Sequence, residues 1–438
     1  MGMNRSNFSA SSGPLSRGWY RLRLPFLLGL LAIVSVYAWQ RMQFQRSIGS
    51  VERLLKSEEN AKAISALESL KARFGERADL RHMLARAYRQ SGKKEPFERQ
   101  LELAQGLGLR SETVQAEKFL FEAQLGAVES LESRVADFMI SNDRMFDDAA
   151  RSLVFGLLRN QNTEAVERFL PLWENQSPDA AWIPTFRGMM RLGRRDWKNA
   201  LLELEPALEK HPDFLPLYLQ AGMAYQGDQQ FERAEAMLDR YLQSQPDSAE
   251  GLLSYSEVLR KLGKAEQALG RIETFLPIGD PSKPIHPSLR LQIAKLYLDV
   301  DESQKVIDTL GGLAKLWPED VEIASTLSQA YQRLGDEPNS VAYAAIADSG
   351  QKETVLADGM LFELLSNPNR TAEQCYALGH LLLHKKSREN GIYWLEAALK
   401  LDEKFAPAHQ DLALYYDRTE QPQYAAIHRR YLNAPGKP

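Results

Sequence analysis

A period of 34 residues constrains this chain more than any other feature of its 438 residues. The sharpest unit is 215–248. Ala221, Gly222 and Tyr225 fall in one helical pattern, Ala234, Leu238 and Tyr241 fall in a second, and Pro246 ends the unit. Thirty-four residues earlier stand Gly188, Ala200, Leu204, Ala207 and Pro212, and in the next unit Ser256, Leu259, Ala268, Ile272 and Phe275. Small residues facing each other let two helices approach closely, and leucines and aromatics fill the space around them. A fixed period in this range means a stack of supersecondary units, each burying its apolar face on its neighbours.

After an insertion around Pro281, Pro284 and Pro287, the register resumes with Ala294, Tyr297, Leu310, Leu313 and Pro318, and then with Ser328, Tyr331, Ala344 and Ala347. It breaks over 355–371, expected as an irregular connector. It returns with Leu378, Gly379, Leu382, Leu395 and Ala398, then with Leu412, Ala413, Tyr416, Ala425 and Leu432. Upstream, Ala63, Leu67 and Leu70 read as a second helix, Leu84, Ala85 and Tyr88 as a first helix, and Phe97, Leu101 and Ala104 as its partner. The stretch 112–180 is degenerate, carrying Phe119, Leu131, Val135 and Phe138, then Leu153, Ala165, Phe169 and Leu172. Leu192-Gly193, Leu262-Gly263 and Leu334-Gly335 sit between paired helices, where a glycine can take the left-handed conformation that ends a helix.

These residues resemble the tetratricopeptide repeat (TPR). About eleven units run from residue 44 to the end: an array over 44–354 and further units over 372–438. No alternating strand pattern appears. The expected fold class is all-α, and the resemblance implies antiparallel helix pairs stacked into a right-handed superhelical solenoid.

Ahead of the repeats, residues 1–23 form a Ser-, Gly- and Asn-rich basic tail, expected to be disordered. Residues 24–39 carry no charge, about 24 Å as a helix against a bilayer core of about 30 Å. Tyr20 and Trp39 stand where interfacial aromatics belong. An uncleaved signal anchor is the preferred reading, because the run reaches Trp39 and Arg41. A cleaved signal peptide is the alternative, with small residues near a cut at Val36-Tyr37-Ala38. Arginines flank the run equally, with Arg17, Arg21 and Arg23 before it and Arg41, Arg46 and Arg53 after it, so orientation is not decided by count. The short acid-free tail places the N-terminus in the cytoplasm and the repeats outside it, in a periplasm.

The net charge is −4, and the first 39 residues hold four arginines and no acid, leaving −8 for the rest (−4 minus +4). An acidic body without a basic block does not suit nucleic acid. The single Cys375 excludes an intramolecular disulfide and a cysteine-based zinc site. No Walker loop, GxGxxG fingerprint or GxSxG elbow occurs, so no enzyme is expected and no cofactor is implied. One pair has ligand spacing: His380 and His384 share a helix face, but Leu381 stands where a zincin has its glutamate. The preferred reading of the pair is two polar residues on the groove side, with no metal.

In TPR proteins the first helices line a concave groove. On that face this sequence places Trp182, Phe186 and Met189, followed by Leu219 and Met223, an apolar surface for an amphipathic helix or extended peptide. The competing reading packs these side chains between repeats. The Lys, Asn and Arg clamp of chaperone-tail receptors is replaced by Leu219 and Met223, or by Tyr376 and His380. The function these features imply is a membrane-anchored scaffold of the bacterial envelope that binds protein or peptide partners. A cytosol-facing anchored receptor is the alternative, and an enzyme with a cryptic metal site is more distant.

Overall fold

The computed structural model describes residues 16–128, 130–142, 145–160, 162–275, 285–367, 369–419 and 421–432. Residues 1–15 of the tail expected over 1–23 and the inserted Pro281 and Pro284 lie outside the described residues, as do the side chains of residues 16–33 and of Phe275; residues 16–23 of that tail are helical. The described residues form twenty-two α-helices and no strand. Two compact units divide the chain, 1–117 and 118–438.

The first unit holds α1 (Ser16–Lys56), α2 (Asn60–Phe74), α3 (Ala78–Gln90), α4 (Lys94–Gly106) and the start of α5 (Ser111–Gln124). The segment expected as an anchor at 24–39 continues without a break into the first repeat helix: no proline follows Trp39 before Lys56, and Gly49 is carried inside the helix. Among the described residues no helix is long and apolar enough to cross a membrane. The C-terminal part of α1 buries Phe44, Val51 and Leu55 against Ala63 and Leu67 of α2. Glu117 is fully buried and accepts a 2.7 Å hydrogen bond from Arg89 Nε. Burial opposes its charge, but Arg89, His82 and Arg86 outweigh that and hold the carboxyl below the usual range.

The second unit continues with α6 (Leu131–Ser141), α7 (Phe146–Arg159), α8 (Thr163–Gln176), α9 (Trp182–Gly193), α10 (Trp197–Lys210), α11 (Leu215–Gly227) and α12 (Phe231–Leu242). It goes on through α13 (Ala249–Lys261), α14 (Ala265–Phe275), α15 (Pro287–Asp299), α16 (Ser303–Leu316) and α17 (Val321–Arg333). It closes with α18 (Glu337–Ser366), α19 (Ala372–Lys385), α20 (Arg388–Leu401), α21 (Ala406–Arg418) and α22 (Pro422–Leu432).

One turn recurs between the helices of a pair. A single left-handed residue stands at Gln229, Gly263, Asp301 and Gly335, with φ between 63° and 76°. The next amide reaches back to the carbonyl five residues earlier: Gln230 N to Tyr225 O at 2.8 Å, Lys264 N to Leu259 O at 2.8 Å, Asp336 N to Tyr331 O at 3.0 Å. This bond closes a Schellman-type helix end and satisfies a carbonyl that the helix leaves open. Gly263 and Gly335 take the conformation the sequence assigns them; Gly193 does not. It belongs to α9, and Arg195 (φ 58°) takes the left-handed role, because Arg195 is the residue in register with Gln229.

The small-residue contacts stand where the period places them. A Cβ at Gly222 would lie 2.6 Å from Leu238 Cγ, and one at Gly188 would lie 2.7 Å from a Leu204 methyl. Leu204 and Leu238 are fully buried. Each such leucine contributes about 1.5–3 kcal/mol of burial.

Residues 355–371 are not an irregular connector throughout. α18 runs 30 residues to Ser366. No proline stands between Ala347 and Pro368, and the helix runs on through Asp348, Ser349 and Gly350 past the expected end of the repeat. Its extension buries Ala357 and Leu364 and leaves Val355 and Phe362 exposed. The register restarts at Thr371, which caps α19 in a reciprocal capping box with Gln374.

Candidate functional site

The first helices α9, α11, α13, α15, α17, α19 and α21 each leave one face uncovered by their own partner helix. At α9 that face starts in an aromatic cluster. Trp182 stacks on Phe186 at 5.0 Å and meets Phe155 and Phe214 edge-on at 5.2 and 5.3 Å. Arg151 lies over the Trp182 ring at 5.0 Å. Phe186 has no solvent exposure and Leu219 has 6%. These two members of the expected groove are therefore repeat core: Phe155 of α7 and Trp173 of α8 pack on Phe186, and Leu219 belongs to the apolar core that α11 shares with its neighbours. Trp182, Met189 and Met223 are half-buried and keep part of their surface open.

Farther along, the same face turns polar. On α13 it carries Glu250, Leu253 and Glu257, spaced three and four apart. Gln226 of α11 donates to Glu257 at 2.7 Å, and Lys295 of α15 pairs with Glu322 of α17 at 2.7 Å. Desolvation pushes the carboxyls of Glu250 and Glu257 up. Glu250 is nevertheless open to solvent.

The end of the face carries histidines. His380 and His384 lie one turn apart on α19, their rings 4.6 Å apart. Between them reaches Asp411 of α21, which is 8% exposed. Its Oδ2 lies 2.6 Å from His380 Nδ1 and its Oδ1 lies 3.8 Å from His384 Nε2. The hydrogen bond to Asp411 pushes the His380 imidazole up. Burial opposes the charge of Asp411, but the hydrogen bond with His380 and the nearness of both imidazoles hold it down at about 2. Sequence reasoning found the histidine pair and missed the aspartate. The findable signal was position: Asp411 lies on the first helix of the next unit, 31 residues after His380, close to one repeat away.

A second polar cluster was not legible. Asp320 caps α17, accepting from Ile323 N at 2.9 Å, and its other oxygen pairs with Arg388 of α20. Both side chains are almost wholly buried. Arg388 and Arg418 lie over the Trp317 ring, at 5.6 and 5.3 Å, and Tyr415 is 5.7 Å from that ring. The end of α16 thus meets α20 and α21, beyond the adjacent pair.

A family model described as a tetratricopeptide repeat matches residues 191–254, the stretch from the end of α9 into α13. The match supports a TPR protein. Similar solved structures include a tetratricopeptide repeat protein from Parabacteroides merdae, at 14% identity and TM-score 0.37, covering 61% of this chain and 98% of that one. Yeast Tom70 is similar at 13% identity and TM-score 0.36, covering 91% and 93%. The human IFIT1 dimer with PPP-AAAA is similar at 14% identity and TM-score 0.39, covering 87% and 95%. At these TM-scores the likeness says nothing of partners. No curated protein matches the chain.

Proposed function

We propose that this chain is a scaffold that holds a protein or peptide partner along the uncovered face of its first helices, tethered to a membrane by residues 24–39. The observation that carries the reading is the continuous face from Met189 and Met223 to Glu250 and Glu257, apolar at one end and acidic at the other. Such a face fits a segment with apolar anchors followed by basic residues. The TPR match and the helix-pair stacking support a protein-interaction scaffold. The arginine-bearing, acid-free N-terminus and the uncharged run after it support a tether, with the repeats on the far side of a bacterial inner membrane.

The test is in-cell photocrosslinking of the full chain. A crosslinker at Met189, Met223 or Glu257 is expected to capture the same partner, and one at Leu202 is expected to capture none. Leu202 is 70% exposed on α10, a second helix. Capture at Leu202 with none at the other three overturns the reading. For topology, a reporter active only outside the cytoplasm, fused after Pro438, is expected to be active; activity of a cytosolic reporter alone reverses the location.

A further inference from the structure

We propose that His380, His384 and Asp411 bind one divalent transition-metal ion of the zinc class, which ties α19 to α21. Three observations carry this. The donor set is two imidazoles and one carboxylate, a combination suited to zinc and its first-row neighbours. The donors converge: one ligand atom from each residue lies within 4.8 Å of the other two. And one donor is left over, because His384 Nε2 is buried, faces Asp411 and makes no hydrogen bond. A buried nitrogen without a partner costs about 1–3 kcal/mol, so native structures rarely keep one without use.

The distances suit the ion. Zinc bonds nitrogen and oxygen at about 2.0–2.2 Å, so neighbouring ligand atoms of a tetrahedral centre lie roughly 3.3 Å apart. The carboxylate oxygens stand 2.6 Å from one histidine nitrogen and 3.8 Å from the other, on either side of that value. A small carboxylate rotation equalises them. His380 forms the open edge of the cluster, with 45% of its side chain exposed, while His384 at 14% and Asp411 at 11% form its floor. An ion enters past His380, and water or a partner's side chain completes its coordination there.

A competing nitrogen pair exists in the same unit. His409 Nδ1 lies 2.9 Å from His428 Nδ1. Among the described residues no third carboxylate or imidazole joins it: the other His409 nitrogen lies 2.8 Å from the Glu403 carbonyl, and Tyr431 and Tyr416 stack on the two rings.

The experiment titrates zinc alone into the full-length, untagged, metal-stripped chain by calorimetry. Wild type is expected to bind one equivalent. Asp411→Asn and His384→Ala are each expected to weaken binding at least tenfold, and His428→Ala to leave it unchanged. His380→Ala removes the exposed donor, so it separates lost ligation from lost folding if the floor variants unfold. Cobalt substitution gives an independent readout: ligand-field absorption in wild type, lost in His380→Ala. No stoichiometric zinc binding overturns the proposal, and so does wild-type affinity in His380→Ala. Loss of binding in His428→Ala alone moves the site to the other histidine pair and overturns it as well.

Discussion

Between α9 and α12 the close helix contacts set glycines against side chains, Gly188 and Gly222 against leucines and Gly227 against Trp197, and the surrounding core is apolar. Between α16 and α21 the helices approach through backbone, and the apolar core takes in a buried ion pair. A Cβ at Gly391 would lie 2.4 Å from Leu383 N and 2.5 Å from Leu383 Cα, which are backbone atoms of the partner helix. Nearby the buried Asp320–Arg388 pair joins residues 68 positions apart, and Trp317 reaches α21. The first region is held by contacts between neighbours, as a solenoid is. The second keeps such neighbour contacts and adds Trp317, whose ring reaches Arg388 of α20 and Tyr415 of α21 past the intervening pair. The extended α18 separates the two modes: it takes the place of a regular second helix and lets the end of α16 meet α20 and α21.

Two glycine substitutions sharpen this contrast. Gly391→Ala is expected to cost at least the upper end of about 1–3 kcal/mol, because the atoms it meets are backbone and a whole helix must shift. Gly222→Ala is expected to cost less, within about 1–3 kcal/mol, since Leu238 can turn its side chain away at some loss of packing. Chemical denaturation of both variants checks the order. Equal losses would remove the distinction between the two kinds of helix contact.

A smaller effect follows from pH. Burial and the neighbouring His409 push the His428 imidazole down from its ordinary 6.5 to about 4. Unfolding therefore takes up a proton between pH 6.5 and 4, so stability is full above 6.5 and falls as pH drops through that window. His428 is only half-buried, and solvent screening keeps the loss modest. Hydrogen exchange is expected to quicken in α21 and α22 as pH falls from 6.5 to 4, relative to α9–α12 after correction for intrinsic rates. His428→Phe is expected to flatten that trend.

The sequence reads the first region well and the second poorly, for a physical reason. Gly188, Gly222, Ala200 and Ala234 recur in register because each contact lies within one unit, and a period exposes it. The left-handed turn was legible at Gly263 and Gly335, where glycine marks it. At Arg195, Gln229 and Asp301 it was not, because the recurring backbone bond sets that conformation whatever residue stands there. The uncovered face was legible as a position. Its occupants were legible only in part, since period alone does not separate Phe186, closed over by α7 and α8, from Met189, left half-open. Asp320–Arg388 and Asp411 with the histidines join different units, and no pattern internal to one repeat contains them.

The contrast between these two regions is tested most directly by native-state hydrogen exchange on Asp320→Ala. Removing one partner of a buried pair strands the other charge. Protection is expected to fall in α17, α20 and α21 together, the helices that Asp320, Arg388 and Trp317 connect, and to stay at wild-type values in α9–α12. A loss confined to α17, or an equal loss across the whole unit, would contradict the account.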